Sequence, residues 1–240
     1  MINKKHDLKL KHITFTGIGP DTDLDELRKI QEENPIVEFG VLMSKNWHEN
    51  GPRYFDPSKL NILRDSGLNL SCHVCGSVAR VTVRENWEPL FALTDGLVGI
   101  FKRCQLNIGA DAPTEETEFL RPPIDLEELI IQQKDANNLG HYNMLRRKDR
   151  ISILLDASGG LGIDTPIVPF DIKGVKVGYA GGMNPENVGK KLDILMSSDK
   201  VGDFWIDMES GVRTNEVFDI DKVKRVLDEC NTVISKYKEI

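Results

Sequence analysis

Eight short runs of apolar, largely β-branched residues recur along this chain, and helical patterns separate most of them. The runs fall at residues 12–16 (HITFT), 36–43 (IVEFGVLM), 68–74 (LNLSCHV), 103–107 (RCQLN), 128–134 (ELIIQQK), 151–156 (ISILLD), 175–180 (VKVGYA) and 203–208 (DFWIDM). Runs of this length, bounded by turn residues, predict strands. Between the first two, Asp23 stands as an N-cap before a helical stretch with Leu24, Leu27 and Ile30 on one face, and Glu26 holds the reciprocal capping position. Pro57 lies in the first turn of a second helix that Gly67 stops. Further helices are expected from residues 86–93, at 137–147, from Asn184 and Pro185 onward, and over the C-terminal stretch 219–240. Strands that alternate with helices are joined by right-handed crossovers and make a parallel sheet. Eight such units in 240 residues predict one domain, residues 1–240, folded as a single (β/α)8 TIM barrel. The other topology is an open doubly wound sheet. Its dinucleotide fingerprint wants three glycines after the first strand, and TGIGPD (16–21) has two. The Pro-rich stretch 112–125 reads as a loop.

Charge and cysteine content exclude several function classes. The formal net charge is -7, and the only basic cluster is MLRRKDR (144–150), so no nucleic-acid face is expected. No apolar run approaches the roughly 20 residues of a membrane span. The start, MINKKHDLKLKHITF, lacks the apolar core of a signal peptide. Cys72 and Cys75 form a C-x-x-C, but no second pair accompanies them as a structural zinc site requires. On a strand the two thiols would also point to opposite faces. The expectation is a cytoplasmic protein with reduced thiols, no metal and no cofactor.

In such a barrel, functional groups gather at the C-terminal ends of the strands. There the sequence places Thr16 and Gly17; His73 and Cys75; Gln105 and Asn107; Gln133, Lys134 and Asp135; Asp156 with its glycines; Gly181 and Gly182; and Asp207, Glu209, Ser210 and Gly211. Two features carry chemistry. AGGMNPENV after the seventh strand and ESGVRT after the eighth combine glycines, which let amides approach an anion, with a helix N-terminus. They predict a phosphate site, unless Gly181 and Gly182 only turn the chain. Asp156 ends an apolar strand at the mouth of an apolar barrel. Desolvation there suits a general acid; the other reading is an anchor for the glycines that follow.

ILLDASGGLGIDTPIVPFD, YAGGMNPENV and WIDMESGVRT together resemble the C-terminal third of phosphoribosylanthranilate isomerase, a (β/α)8-barrel family of tryptophan biosynthesis. NGPRYFDPSKL and CQLN resemble upstream segments of the same family. The resemblance implies an Amadori rearrangement of a phosphorylated aminoribose, without metal or cofactor. It implies Asp156 as the general acid on the ring oxygen, Arg53 near the substrate carboxylate, and Gly181, Gly182, Ser210 and Gly211 around the phosphate.

The departures from the family pattern are specific. Thr16 stands where the family's basic cysteine belongs, and a hydroxyl is a far weaker base than a thiolate. Asn107 replaces a histidine, and Glu209 puts a negative charge beside the phosphate loop that Arg213 would have to offset. His73 or Cys75 would then substitute as base, or His73 is structural. The expected function is an isomerase that works by acid–base catalysis on a phosphorylated sugar-type small molecule and does not run the ordinary tryptophan-pathway reaction. The alternatives are a non-catalytic barrel that binds a phosphorylated metabolite and an assembly protein that keeps only the fold. A monomer or homodimer is expected.

Overall fold

The computed structural model describes residues 8–49, 51–84, 87–108, 126–134 and 150–238. The helix expected at 137–147, the Pro-rich stretch 112–125, Asp135 and most of the basic cluster lie outside the described residues. Eight strands close into a barrel in chain order. They are β1 (Leu10–Thr16), β2 (Val37–Met43), β3 (Leu70–Cys75), β4 (Arg103–Asn107), β5 (Glu128–Gln133), β6 (Ile151–Asp156), β7 (Val177–Ala180) and β8 (Phe204–Met208). Every neighbouring pair is parallel, and β8 closes on β1 with Ile13 beside Ile206 and Phe15 beside Met208. This is the (β/α)8 barrel that the strand arithmetic predicted.

The strands' outward faces carry the main core. Phe15, Phe39, Val41, Val74, Ile153, Tyr179 and Phe204 are buried against Leu27 and Ile30 of α1 (Leu24–Glu33), helices α2 (Gly76–Arg84) and α3 (Glu88–Leu93), Leu192 and Leu195 of α4 (Val188–Ser197), and Val223, Val226 and Val233 of α5 (Ile220–Lys238). Each such side chain contributes roughly 1.5–3 kcal/mol by leaving water. The caps are partly as expected. Asp23 accepts from the backbone N–H groups of Asp25 and Glu26 at 3.0 and 3.1 Å. Glu26 does not reach back to the cap; its carboxylate pairs with Lys29 and Lys224 at 3.2 and 2.6 Å.

Two connections differ from the sequence reading. Residues Pro57–Leu63 wind as a 3-10 helix rather than an α-helix. Helix α2, directly after β3, was not anticipated, because GSVARVTVR is rich in the β-branched residues that favour strands. Between β6 and β7 no helix forms among the described residues; a loop bearing exposed Leu161, Ile163 and Val168 makes the connection.

The barrel interior is not the apolar shaft expected behind Asp156. At the N-terminal end of the strands Arg103 pairs with Glu38 (2.9 Å) and Glu128 (2.5 Å), and all three are buried. Thr14 donates to Glu38 at 2.9 Å, Ser152 donates to Glu128, and Lys176 pairs with Glu128 at 3.0 Å. A thin apolar layer of Ile130, Leu154 and Trp205 follows. The Arg103 guanidinium lies 4.4 Å from the centre of the Trp205 ring. Gly178 faces the same indole so closely that a side chain there would overlap it.

Candidate active site

Beyond the Trp205 layer, the C-terminal mouth opens into a cavity of about 320 Å³. Thr16, His73, Gln105, Asn107, Gln132, Asp156 and Asp207 reach it from the strand ends, and Arg53, Gly181, Gly182, Ser210 and Arg213 from the loops. The structure thus brings Thr16, Arg53, His73, Asn107, Asp156, Gly181, Gly182, Ser210 and Arg213 to one cavity. It does not bring Cys75 or Gly211 to its wall.

Thr16 sits at the centre of a buried polar group. Its hydroxyl donates to Asp207 Oδ1 at 2.7 Å and lies 3.5 Å from His73 Nδ1. His73 Nε2 lies 3.1 Å from Ser71 Oγ. Burial pushes the Asp207 carboxyl up to about 7, against the lowering effect of the Thr16 hydrogen bond. Burial also lowers His73 to about 4, so the imidazole is neutral near pH 7. Gly40, one strand away, has no room for a side chain: an added Cβ would meet Thr16 Oγ1 and lie 3.0 Å from His73 Nε2.

Asp156 is buried at the end of β6 and accepts four hydrogen bonds. Gln132 Nε2 (2.8 Å) and Gly160 N–H (2.6 Å) donate to Oδ2. Ser158 N–H (3.1 Å) and Ser158 Oγ (2.7 Å) donate to Oδ1. This is the geometry of a loop anchor, one of the two readings its position allowed. It compensates the carboxylate for the water it has lost.

The glycines after β6, β7 and β8 serve an interlock of loops. Gly181 and Gly182 have φ of 120° and 62°, where other residues are strained. A side chain on Gly182 would collide with the backbone of Ile163 and Asp164, and one on Gly211 with the carbonyl of Met183. Lys191, buried on α4, fastens the loops by donating to the carbonyls of Thr165 (2.9 Å) and Gly181 (2.7 Å). Asn184 Oδ1 accepts from the N–H groups of Glu186 (2.9 Å) and Asn187 (3.1 Å), so the turn it caps precedes α4, which begins at Val188 rather than at Pro185. As in any such barrel, the helix runs back along its strand, so its positive N-terminus is on the cavity side.

Glu209 lies between two cations. Its Oε1 is 3.5 Å from Arg53 Nη1 and 3.9 Å from Arg213 Nε. Burial nevertheless raises its carboxyl above the usual range, outweighing both arginines. Arg213 also donates to the carbonyls of Glu216 (2.8 Å) and Gly17 (3.3 Å), and Gly17 lacks a side chain where that guanidinium lies. Asn107 is turned aside: it donates to Cys75 Sγ at 3.3 Å and accepts from Gln105 Nε2 at 3.0 Å. Burial pushes the Cys75 thiol up, which opposes a role as a thiolate base.

The sequence reading gave no role to Asp207, Gln132, Ser158 or Gly40. One signal was available: Asp207 is next to last in an apolar strand, FWIDM, much as Asp156 ends ISILLD. Among the described residues no group of three or more His, Cys, Asp or Glu side chains could hold a metal ion, and no helix is long and apolar enough to cross a membrane.

Comparison with known proteins agrees with the barrel fold. No curated protein sequence matches the chain. N-(5'-phosphoribosyl)anthranilate isomerase from Pyrococcus furiosus superposes with a TM-score of 0.57 at 17% identity, covering 92% of this chain and 99% of the other. Phosphoribosyl anthranilate isomerase from Thermococcus kodakaraensis superposes with a TM-score of 0.54 at 14% identity, with the same coverage. At such identities the likeness establishes the fold. The model of the family described as N-(5'phosphoribosyl)anthranilate (PRA) isomerase matches residues 106–229, more than half of the chain and all of the loops that close the cavity from β6 to β8. The chain therefore belongs to the phosphoribosylanthranilate isomerase family.

Proposed function

We propose that this protein is an isomerase that moves protons on a phosphorylated, sugar-type small molecule and does not catalyse the family's ordinary reaction. The observation that carries the reading is the cavity itself. Two buried carboxylates, Asp156 and Asp207, and the interlocked glycine loops meet at one barrel mouth. In this reading the phosphate rests on the loops of Gly181, Gly182, Ser210 and Gly211, before the α4 N-terminus. Arg53 and Arg213 hold Glu209 away from it. Asp156 acts on the ring or carbonyl oxygen, as the family resemblance implies. The free cysteines suit a cytoplasmic enzyme.

The departure at Thr16 supports the second half of the proposal. A hydroxyl bonded to a carboxylate is not a thiolate. It also keeps a second reading in view, a barrel that binds a phosphorylated metabolite without turnover. Thermal shift with inorganic phosphate, ribulose 5-phosphate and anthranilate separates the readings, because a ligand stabilises by RT ln(1 + [L]/Kd). Stabilisation by the phosphorylated compound with sugar interconversion supports the isomerase. Stabilisation without interconversion supports the binding barrel. No shift with either phosphorylated probe removes the phosphate site.

A further inference from the structure

We propose that Asp207 is the general base that replaces the family's cysteine, exchanging a proton with the substrate carbon next to the carbonyl or imine, and that Thr16 positions it. The inference rests on the isomerase reading and adds the missing group to it.

Four side chains from β1, β3 and β8 form one chain of hydrogen bonds: Ser71 to His73 Nε2 (3.1 Å), His73 Nδ1 to Thr16 (3.5 Å), and Thr16 to Asp207 Oδ1 (2.7 Å). The donors assign themselves from the end inward. An ionised Asp207 can only accept, so Thr16 donates to it. The Thr16 oxygen then faces His73 Nδ1 with a lone pair, which makes Nδ1–H the donor. Nε2 is left as the acceptor for the Ser71 hydroxyl. Both imidazole nitrogens and both hydroxyls are used with a neutral imidazole, and every bond points toward Asp207. Its Oδ2, 3.8 Å from His73 Nδ1, belongs to a side chain that reaches the cavity.

The other candidates are worse placed. Thr16 gives its proton to Asp207, and its hydroxyl does not ionise near neutral pH. Cys75 is outside the cavity wall and faces Asn107. Asp156 is held by four donors. His73 has both nitrogens turned to Ser71 and Thr16. The charges that face Asp207 are Glu38 from β2, Asp156 from β6 and Glu209 just beyond β8, which oppose its ionisation, and Arg103 from β4, which favours it. Burial is the largest influence, and together they poise the carboxyl near pH 7, where a general base is most effective.

The step balances. Asp207 takes the proton from the carbon next to the C=O or C=N group. The C–H electron pair becomes a C=C bond, and the π pair moves to the oxygen or nitrogen, which takes up a proton. On return, the neighbouring hydroxyl gives up its proton as its carbon becomes the new carbonyl. Asp207 delivers its proton to the former carbonyl or imine carbon, the proton released by the hydroxyl replaces the one taken up by the oxygen or nitrogen, and no proton is gained or lost overall.

The test is exchange of the substrate's carbon-bound hydrogen in D2O, followed by NMR with ribose 5-phosphate and ribulose 5-phosphate. The proposal expects exchange that rises with pH through about 7. D207N should lower it by about 10² or more. T16V, which removes the hydrogen bond that favours the ionised form, should move the pH midpoint upward. That shift gives an independent readout should D207N fold poorly. Undiminished exchange in D207N, or an unmoved midpoint in T16V, overturns Asp207 as the base and leaves the isomerase reading standing. Absence of exchange in the unmodified protein with either sugar overturns both.

Discussion

Gly40 of β2 faces Thr16 of β1 with no space for a side chain between them. A Cβ on Gly40 would meet the Thr16 hydroxyl and stand 3.0 Å from the Thr16 Cα, which is backbone and cannot swing away. Thr16 can bond Asp207 on one side and approach His73 on the other because Gly40 leaves that space open. Gly40→Ala should therefore cost about 1–3 kcal/mol as overpacking. It should also weaken any ligand effect that depends on Thr16. A urea midpoint equal to that of the unmodified protein would show that the strands adjust freely.

Asp156→Asn tests an anchor as well as an acid. An asparagine would turn an NH2 toward donors that now meet a carboxylate: Gln132 and Gly160 on one oxygen, Ser158 on the other. The expected cost is about 1–3 kcal/mol for the unsatisfied groups, in addition to lost turnover. Ser158→Ala separates the two roles, because it removes one anchoring bond and keeps the carboxylate. If Asp156 acts chemically, Ser158→Ala keeps most of the isomerisation rate and Asp156→Asn does not. Equal losses in the two variants would make Asp156 an anchor only.

The barrel was legible because most strands are short apolar runs bounded by turn residues, and their ends moved by no more than two residues. Helix α2 was hidden, since Val78, Val81, Thr82 and Val83 read locally as strand and tertiary packing decides the matter. The site was half legible. Strand-end position alone gave Asp156, Thr16 and the glycines. That Thr16 bonds Asp207, 191 residues away, is a consequence of closing β8 onto β1, which no local pattern contains. The same closure hid the buried Glu38–Arg103–Glu128 group, whose members lie on three different strands.

That group makes a prediction about stability and pH. Arg103 offsets the burial of Glu38 and Glu128 and holds both carboxyls below the usual range. Unfolded glutamates near 4.3 bind protons more readily than these, so the stabilisation is present above that pH and is lost as pH falls through the folded values. Arg103→Met leaves the buried Glu38 without its cation and Glu128 with Lys176 alone, and should cost about 3–5 kcal/mol at pH 7. The two carboxyls should then protonate readily, so the gap to the unmodified protein should narrow at pH 4. Urea titrations at both pH values check this; a gap that widens at pH 4 contradicts it.

The last prediction concerns the family's ordinary reaction. By the family resemblance Thr16 stands where a basic cysteine is expected, and the surroundings are built for a hydroxyl. The carboxylate of Asp207 is 2.7 Å away, His73 is neutral, and burial dominates the titration of both. A thiol placed there would be raised by the same burial and by the adjacent negative charge. Thr16→Cys should accordingly restore no more than a trace of phosphoribosylanthranilate isomerisation. Asn107, tied to Cys75 and Gln105, and Glu209, held between Arg53 and Arg213, further alter the pocket. The unmodified protein should show little or no such activity and should not rescue a tryptophan auxotroph that lacks the isomerase. Growth of that strain on the unmodified chain, with its loss in D207N, would instead mean that a carboxylate can do the cysteine's work on the family's own substrate. Growth that survives D207N would reject both statements and return the search for the base to His73 and Cys75.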